Sequence, residues 1–242
     1  MNEIFSKDIE VLLSQCDHRG RLGVSQTFDL FMDLAGEHAA ILGNGVPEMT
    51  ARGLFWVAVK TRVRLCRAPA VGERCTALTW PETPGRMRCE RDYLLRAGEE
   101  ILAAGKTEWT ILDTVRGGLH AMRDGIYAPD QTYAQETALE GPFHRFLGGF
   151  EGKPFADYRV RSTDVDLVGH MNNVAYVRML LGLFSTTERD AHPLRELEVH
   201  YRNACHEGDR LLLRRRAGDR GEEFQAALED GTLILLARAE HE

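Results

Sequence analysis

Between about Ser25 and Leu42 the apolar residues Phe28, Phe31, Leu34, Ala35, Ile41 and Leu42, with His38 in the same row, return at three- and four-residue steps. That spacing lines one face of a helix of about five turns. Ser25 is placed to cap its first turn, and Gly43-Asn44-Gly45 lets the chain leave in a left-handed conformation. Four extended stretches follow: Leu54 to Cys66, Arg74 to Trp80, Arg86 to Arg96 and Ile101 to Leu112. They are rich in β-branched and aromatic residues and are separated by Pro69, Gly72, Pro81, Pro84, Gly85 and Gly98, which predicts an antiparallel meander.

The same order returns in the second half. Asn172 to about Glu188 has helical spacing (Val174, Val177, Met179, Leu180, Leu183, Phe184), and strand-like Glu196 to Arg202, Arg210 to Arg216, Phe224 to Leu228 and Leu233 to Ala239 follow. Setting Ser25 against Asn172 gives an offset of 147, and Gly72-Glu73-Arg74 against Gly208-Asp209-Arg210 one of 136, the loop after the first helix absorbing the difference. Met122 to Lys153 is rich in Gly, Pro and polar residues without a period and reads as a connection. A long helix wrapped by a curved antiparallel sheet buries both an amphipathic helix and one sheet face. The expected fold is therefore α+β, a tandem (double) hotdog, with residues 1–122 as the first hotdog, 123–153 as the connection and 154–242 as the second. Two unrelated α+β halves are the alternative.

Composition narrows the class without changing this picture. The 242 residues are 43% hydrophobic and 28% charged, as in an ordinary globular protein. A net charge of −7 argues against nucleic-acid binding. Five cysteines (Cys16, Cys66, Cys75, Cys89, Cys205) with no CxxC pair read as reduced thiols. No signal-peptide pattern and no apolar run long enough for a bilayer are evident, so a soluble, cytoplasmic protein without membrane attachment is expected.

Polar chemistry concentrates in Asp164-Val165-Asp166-Leu167-Val168-Gly169-His170-Met171-Asn172-Asn173, directly before the second helix. A helix start offers backbone N–H groups and a positive dipole end, which suit an oxyanion, and a nearby Asp or His can activate water. Asp166 and His170, four residues apart across Gly169, are the catalytic candidates. Asn172 is a catalytic candidate or simply an N-cap, the same choice applies to Asn173 beside the substrate, and Asp164 can equally close a turn.

These residues carry a resemblance. The segment TDVDLVGHMNNVAYV, with ELEVHYRNACHEGDRL after it, resembles the C-terminal half of the acyl-acyl carrier protein thioesterases of plants and bacteria. LGNGVPEM, LFWVAVKTRVRL, PAVGERC and GRMRCERDYLLR resemble its first half, so the likeness runs along nearly the whole chain. It implies a double hotdog that hydrolyses the thioester between a fatty acyl chain and the carrier's phosphopantetheine, without metal or cofactor. It also implies a catalytic aspartate at Asp166, a histidine at His170 and, at Cys205, the cysteine once proposed as a nucleophile. Two positions depart: the usual asparagine is Val168 and the usual glutamate is Ala204. Glu207 or His206 could supply a displaced acid or base, with a plain turn role for Glu207 as the alternative. Single-domain hotdog acyl-CoA thioesterases place an aspartate at the Asp166 position too.

With Ser25 set on Asn172, Arg19 and Gly23 fall where Asp166 and His170 stand, which predicts one active site per chain. The first hotdog would then form the acyl pocket, with Phe28, Phe31, Leu34, Phe55 and Trp56 as its lining, or as ordinary core. Gly169 and Asn173 would contact substrate. Cys205 acts as nucleophile only if its thiol is ionised, and a buried thiol is the common case. The partner is the acylated carrier protein; homodimer formation stays open. An acidic carrier requires basic surface, for which Arg62 and Arg64, Arg86 and Arg88, and Arg214-Arg215-Arg216 are candidates. GGFEGK (Gly148 to Lys153) has the wrong spacing for a phosphate loop. Two rival functions remain: an acyl-CoA thioesterase of hotdog type, and a hotdog protein that binds an acyl ligand without turnover.

Overall fold

In the computed structural model, which describes residues 4–127 and 132–242, the chain divides into two units between Gly141 and Pro142. The first contains β1 (Phe5–Glu10), α1 (Val24–Ile41), α2 (Val46–Ala51), β2 (Leu54–Leu65), β3 (Arg74–Pro81), β4 (Cys89–Ala97), β5 (Glu100–Asp113) and the short β6 (Leu119–His120). Its strands pair antiparallel in the order β1-β3-β4-β5-β2, with β6 on β5. Most of the predicted row on α1 points inward: Phe28, Phe31, Leu34, Ala35 and His38 are buried, whereas Ile41 in the last turn is exposed and Leu42 is the C-cap. Phe31 stacks on Tyr93 of β4 with ring centroids 5.0 Å apart. Gly105 of β5 makes this possible, because a Cβ there would lie 2.8 Å from the Phe31 ring.

The second unit contains β7 (Ala156–Arg159), α3 (Asn173–Leu181), α4 (Thr186–Ala191), β8 (Leu194–Tyr201), β9 (Arg210–Gly218), β10 (Gly221–Leu228) and β11 (Leu233–His241). Its antiparallel order, β7-β9-β10-β11-β8, repeats that of the first unit strand for strand. Val174, Ala175, Tyr176, Val177, Met179 and Leu180 of α3 are buried. Among the described residues no helix is long and apolar enough to cross a membrane.

Several boundaries differ from the sequence reading. α1 is capped by Gly23 without a side-chain bond, and Ser25 lies inside the helix. The second helical stretch is broken: α3 ends at Gly182, and a Ser185/Glu188 capping box starts α4. The edge strands β1 and β7 are not among the predicted strands: β1 has three consecutive exposed polar residues, and the alternation of β7 runs over only four residues. The expected connection 123–153 is held along much of its length. Ile126 sits in a cluster with Met49, Leu54, Cys89, Ile111 and Met122, so the first unit's core runs past residue 122. Trp80 donates to the Glu136 carbonyl (2.9 Å), and Asp92 accepts the Ala138 N–H (3.0 Å). In the second unit the N–H groups of His144 and Phe150 donate to Glu198 and Gln225, both at 2.6 Å.

Hydrogen bonds also reset the internal register. In the first unit Asp17 N–H donates to the Arg21 carbonyl (2.7 Å), Gly20 N–H to the Asp17 carbonyl (3.0 Å), and the Asp17 carboxylate accepts the N–H groups of Arg19 and Arg21 at 2.9 and 3.1 Å. The second unit repeats each bond with Asp166, Val168, Gly169 and His170. Gly20 and Gly169 share a left-handed φ, +70° and +80°. The offset at this turn is therefore 149, as the two helix starts at Val24 and Asn173 confirm. The offset of 136 at the later turn stands, with Gly72 and Gly208 donating to the carbonyls of Val11 and Val160. Asp17, not Arg19, is thus the counterpart of Asp166, and Arg21, not Gly23, that of His170.

Candidate active site

The Asp166 turn is built from a stem outward. A 3-10 turn (Ser162–Asp164) precedes it, and Asp164 accepts the Tyr158 hydroxyl (2.7 Å) and the Arg161 N–H (2.8 Å). Asp164 is thereby committed to holding the loop. A bridge between Val165 and Met171 and a bond from Asn172 N–H to the Asp164 carbonyl (2.8 Å) close the stem. Met171 N–H donates to the Cys205 carbonyl (2.9 Å), which ties the stem to the segment after β8.

At the tip, one carboxylate oxygen of Asp166, Oδ1, accepts the N–H groups of Val168 (3.0 Å) and His170 (3.3 Å). The other oxygen, Oδ2, has no hydrogen-bond partner among the described residues. One oxygen orients the group and the other remains available to water or substrate. The first unit resolves its matching turn differently, because Arg19 lies 3.5 Å from Asp17 Oδ2 and forms an ion pair with it. Val168 occupies the position of Arg19 and cannot do this. Arg21, the counterpart of His170, donates to the Ala68 carbonyl (3.0 Å). The first turn thus has an acid at the Asp166 position, but that acid is ion-paired with Arg19, and the turn's imidazole, His18, stands at the position of Leu167 rather than that of His170.

Asn172 is the N-cap of α3, its Oδ1 accepting the Val174 N–H at 2.8 Å. The Asn172 carbonyl takes the N–H groups of Ala175 (2.9 Å) and Tyr176 (3.4 Å). Of the helix-start donors expected to polarise a carbonyl, the Asn173 N–H is the one left without a partner among the described residues. The Asn173 carbonyl accepts the Tyr201 hydroxyl (3.3 Å).

Cys205 is placed to hold rather than to attack. It is fully buried, with its sulfur 3.0 Å from the Tyr176 hydroxyl and 3.8 Å from the Met171 sulfur. Burial pushes its thiol above the usual value and the Asp209 and Asp164 carboxylates add to this, while the Tyr176 hydroxyl opposes it. Burial raises the Tyr176 hydroxyl as well, so both groups stay protonated and either can donate to the other. Glu207 is an exposed turn residue beside Gly208. His206 is exposed as well, and its ring lies 5.0 Å from that of His170, edge to face.

The lining candidates all lie in the first unit. Phe28, Phe31 and Leu34 are fully buried core side chains. Phe55 and Trp56 are half-buried, and Trp56 packs on the Met49 cluster and donates to the Asn44 carbonyl (3.0 Å). Several of the basic candidates are occupied: Arg62 donates to the Glu140 carbonyl, Arg88 pairs with Glu108, Arg214 donates to the Gly152 carbonyl, and Arg215 and Arg216 pair with Glu222 and Glu223. Tyr176, Tyr158 and the Asp17 turn went unnoticed in sequence. The matching D-x-x-G spacing of Asp17/Gly20 and Asp166/Gly169 was the signal for the last.

Two family models match in chain order, the acyl-ACP thioesterase N-terminal domain over residues 2–129 and its C-terminal domain over residues 151–232. The chain belongs to the acyl-ACP thioesterase family. Among curated relatives, the chloroplastic acyl-[acyl-carrier-protein] hydrolase FATB3 of Cuphea viscosissima is 26% identical over 244 residues, 90% of this chain and 59% of the relative. The chloroplastic oleoyl-acyl carrier protein thioesterase of Coriandrum sativum is 23% identical over 207 residues, 75% and 54% respectively. The chain thus spans somewhat over half the length of these relatives. Among solved structures, an acyl-ACP thioesterase from Bacteroides thetaiotaomicron superposes with a TM-score of 0.89 at 18% identity, covering 99% of this chain and 98% of that one. The 12:0-ACP thioesterase from Umbellularia californica gives 0.83 at 20% identity, covering 100% and 98%. The fold is the double hotdog of these acyl-ACP thioesterases.

Proposed function

We propose that this chain hydrolyses fatty acyl-acyl carrier protein to free fatty acid and carrier protein at the Asp166 turn. The observation that carries the proposal is the asymmetry of the two turns: Asp166 keeps one carboxylate oxygen without a partner among the described residues, whereas the equivalent oxygen of Asp17 is ion-paired with Arg19. Asp166 Oδ2 takes a proton from water, whose oxygen attacks the thioester carbonyl carbon, and the Asn173 N–H receives the developing oxyanion. The C–S bond then breaks, and the proton passes to the departing thiolate. His170, in the same turn, orients water or the thioester. Family membership supports the acyl carrier as leaving group; the rival leaving group is coenzyme A.

Free-thiol release from matched acyl-carrier proteins and acyl-CoAs tests this. Faster hydrolysis of the carrier-bound thioesters supports the proposal, and preference for acyl-CoA reassigns the substrate. A raised melting temperature with acyl thioesters but no thiol release would leave a binding protein without turnover.

A further inference from the structure

Resting on that proposed hydrolysis, we infer that His206, held by Asp209, is a positioning residue for His170. The two imidazoles meet edge to face, with ring centroids 5.0 Å apart and planes at 78°. This arrangement sets the electropositive edge of one ring against the electron-rich face of the other and so favours one ring orientation. His206 is itself held through its backbone, and its ring faces the same Asp209 carboxylate. Its backbone N–H donates to Asp209 Oδ2 at 2.8 Å, and the same oxygen lies 3.9 Å from the ring Nδ1. Gly208, at φ +89°, turns the chain so that Asp209 N–H donates back to the His206 carbonyl (3.1 Å).

The two histidine-bearing turns are tied together by main chain immediately beside both rings. Met171, next to His170, donates its N–H to the carbonyl of Cys205, next to His206, at 2.9 Å. The sulfur of Cys205 is in turn held by Tyr176 on α3. The His170 ring is therefore braced from a second segment, while Asp166 orients its backbone from the first. Ala204, also in this segment, has no side chain long enough to share the task.

The His206 side chain is 64% exposed, so His206→Ala should leave the fold intact. Steady-state thiol release should show kcat lowered roughly 10- to 100-fold with KM little changed, as expected for a group whose loss misplaces a catalytic ring. Added imidazole should restore part of the lost rate, since the vacated site is open to solvent. Asp209→Asn, which keeps an oxygen for the His206 N–H, should act in the same direction, and the double variant should be no worse than His206→Ala. Wild-type kcat in His206→Ala would overturn the inference while leaving the Asp166 proposal standing. If the wild type hydrolyses nothing, proton NMR still decides the point. A cross-relaxation peak between the His170 and His206 rings, and a shift of the His170 ring signals in His206→Ala, would uphold the brace; their absence would refute it.

Discussion

Replacing Asn172 with alanine separates the two roles that its sequence position leaves open. The substitution removes the oxygen that accepts the Val174 N–H at 2.8 Å, leaving a buried residue's donor unpaired at the start of a nine-residue helix. Loss of such a cap costs about 1 kcal/mol, within a range of roughly 0.5–2. The second unit has about a hundred residues. A loss of about 1 kcal/mol therefore lowers its melting temperature by roughly 4–8 °C if it melts alone, and by about half that if the chain melts as one. Asn172→Asp and Asn172→Ser keep an acceptor at the cap, and the aspartate also suits the helix dipole. Both should retain wild-type stability and kcat within about threefold, a barrier change under about 1 kcal/mol. Differential scanning calorimetry alongside thiol release reads both quantities. Unchanged stability in Asn172→Ala, or a common loss of about 100-fold in kcat in all three variants at normal melting temperature, would refute the capping role and make the amide part of the chemistry.

Two further perturbations follow from buried groups. Cys205→Ala should keep most of the hydrolysis but destabilise the second unit by about 1–3 kcal/mol, because the Tyr176 hydroxyl loses its buried partner. Tyr176→Phe in the same chain should recover part of that loss in urea titration, and abolished activity in folded Cys205→Ala would contradict the holding role. In the first unit, burial and the neighbouring Glu82 carboxylate push Asp92 up to about 7, with the Lys106 ammonium pulling the other way. Glu90 also faces Lys106, at 3.3 Å. A carboxyl that holds its proton when folded but not when unfolded stabilises the fold at low pH, and that contribution is lost as pH rises through the folded value. The urea midpoint should thus decline as pH rises from about 4 to about 7 and level off above that. Asp92→Asn, which keeps an oxygen for the Ala138 N–H, should flatten that fall, and an unchanged slope in the variant would count against this origin.

The sequence made the repeated helix-then-meander order legible because α1 and most strands carry strong hydrophobic periods. β1 and β7 carry too little of that signal, since β1 is interrupted by Ser6-Lys7-Asp8, β7 alternates over only four residues, and both are held to β3 and β9 by main-chain bonds. Asp166, His170 and the helix start at Asn172 were visible as a local cluster. Their roles were not, because which carboxylate oxygen is held, which N–H is already taken and whether Cys205 is buried all depend on partners distant in sequence. The internal register slipped by two residues for a related reason: Ser25 looked like a cap, whereas the chain uses Gly23 and leaves Ser25 in the helix. Turn hydrogen bonds fixed what side-chain type could not, and they moved the first-unit counterpart of Asp166 from Arg19 to Asp17.

The most direct test of the central claim is the kcat of Asp166→Asn on a fatty acyl-acyl carrier protein. The amide keeps an oxygen for the Val168 and His170 N–H groups, so the turn survives while the base is lost. Thiol release should drop by about 100- to 10,000-fold at unchanged melting temperature. Hydrolysis near the wild-type rate in the folded variant would contradict an Asp166-centred active site.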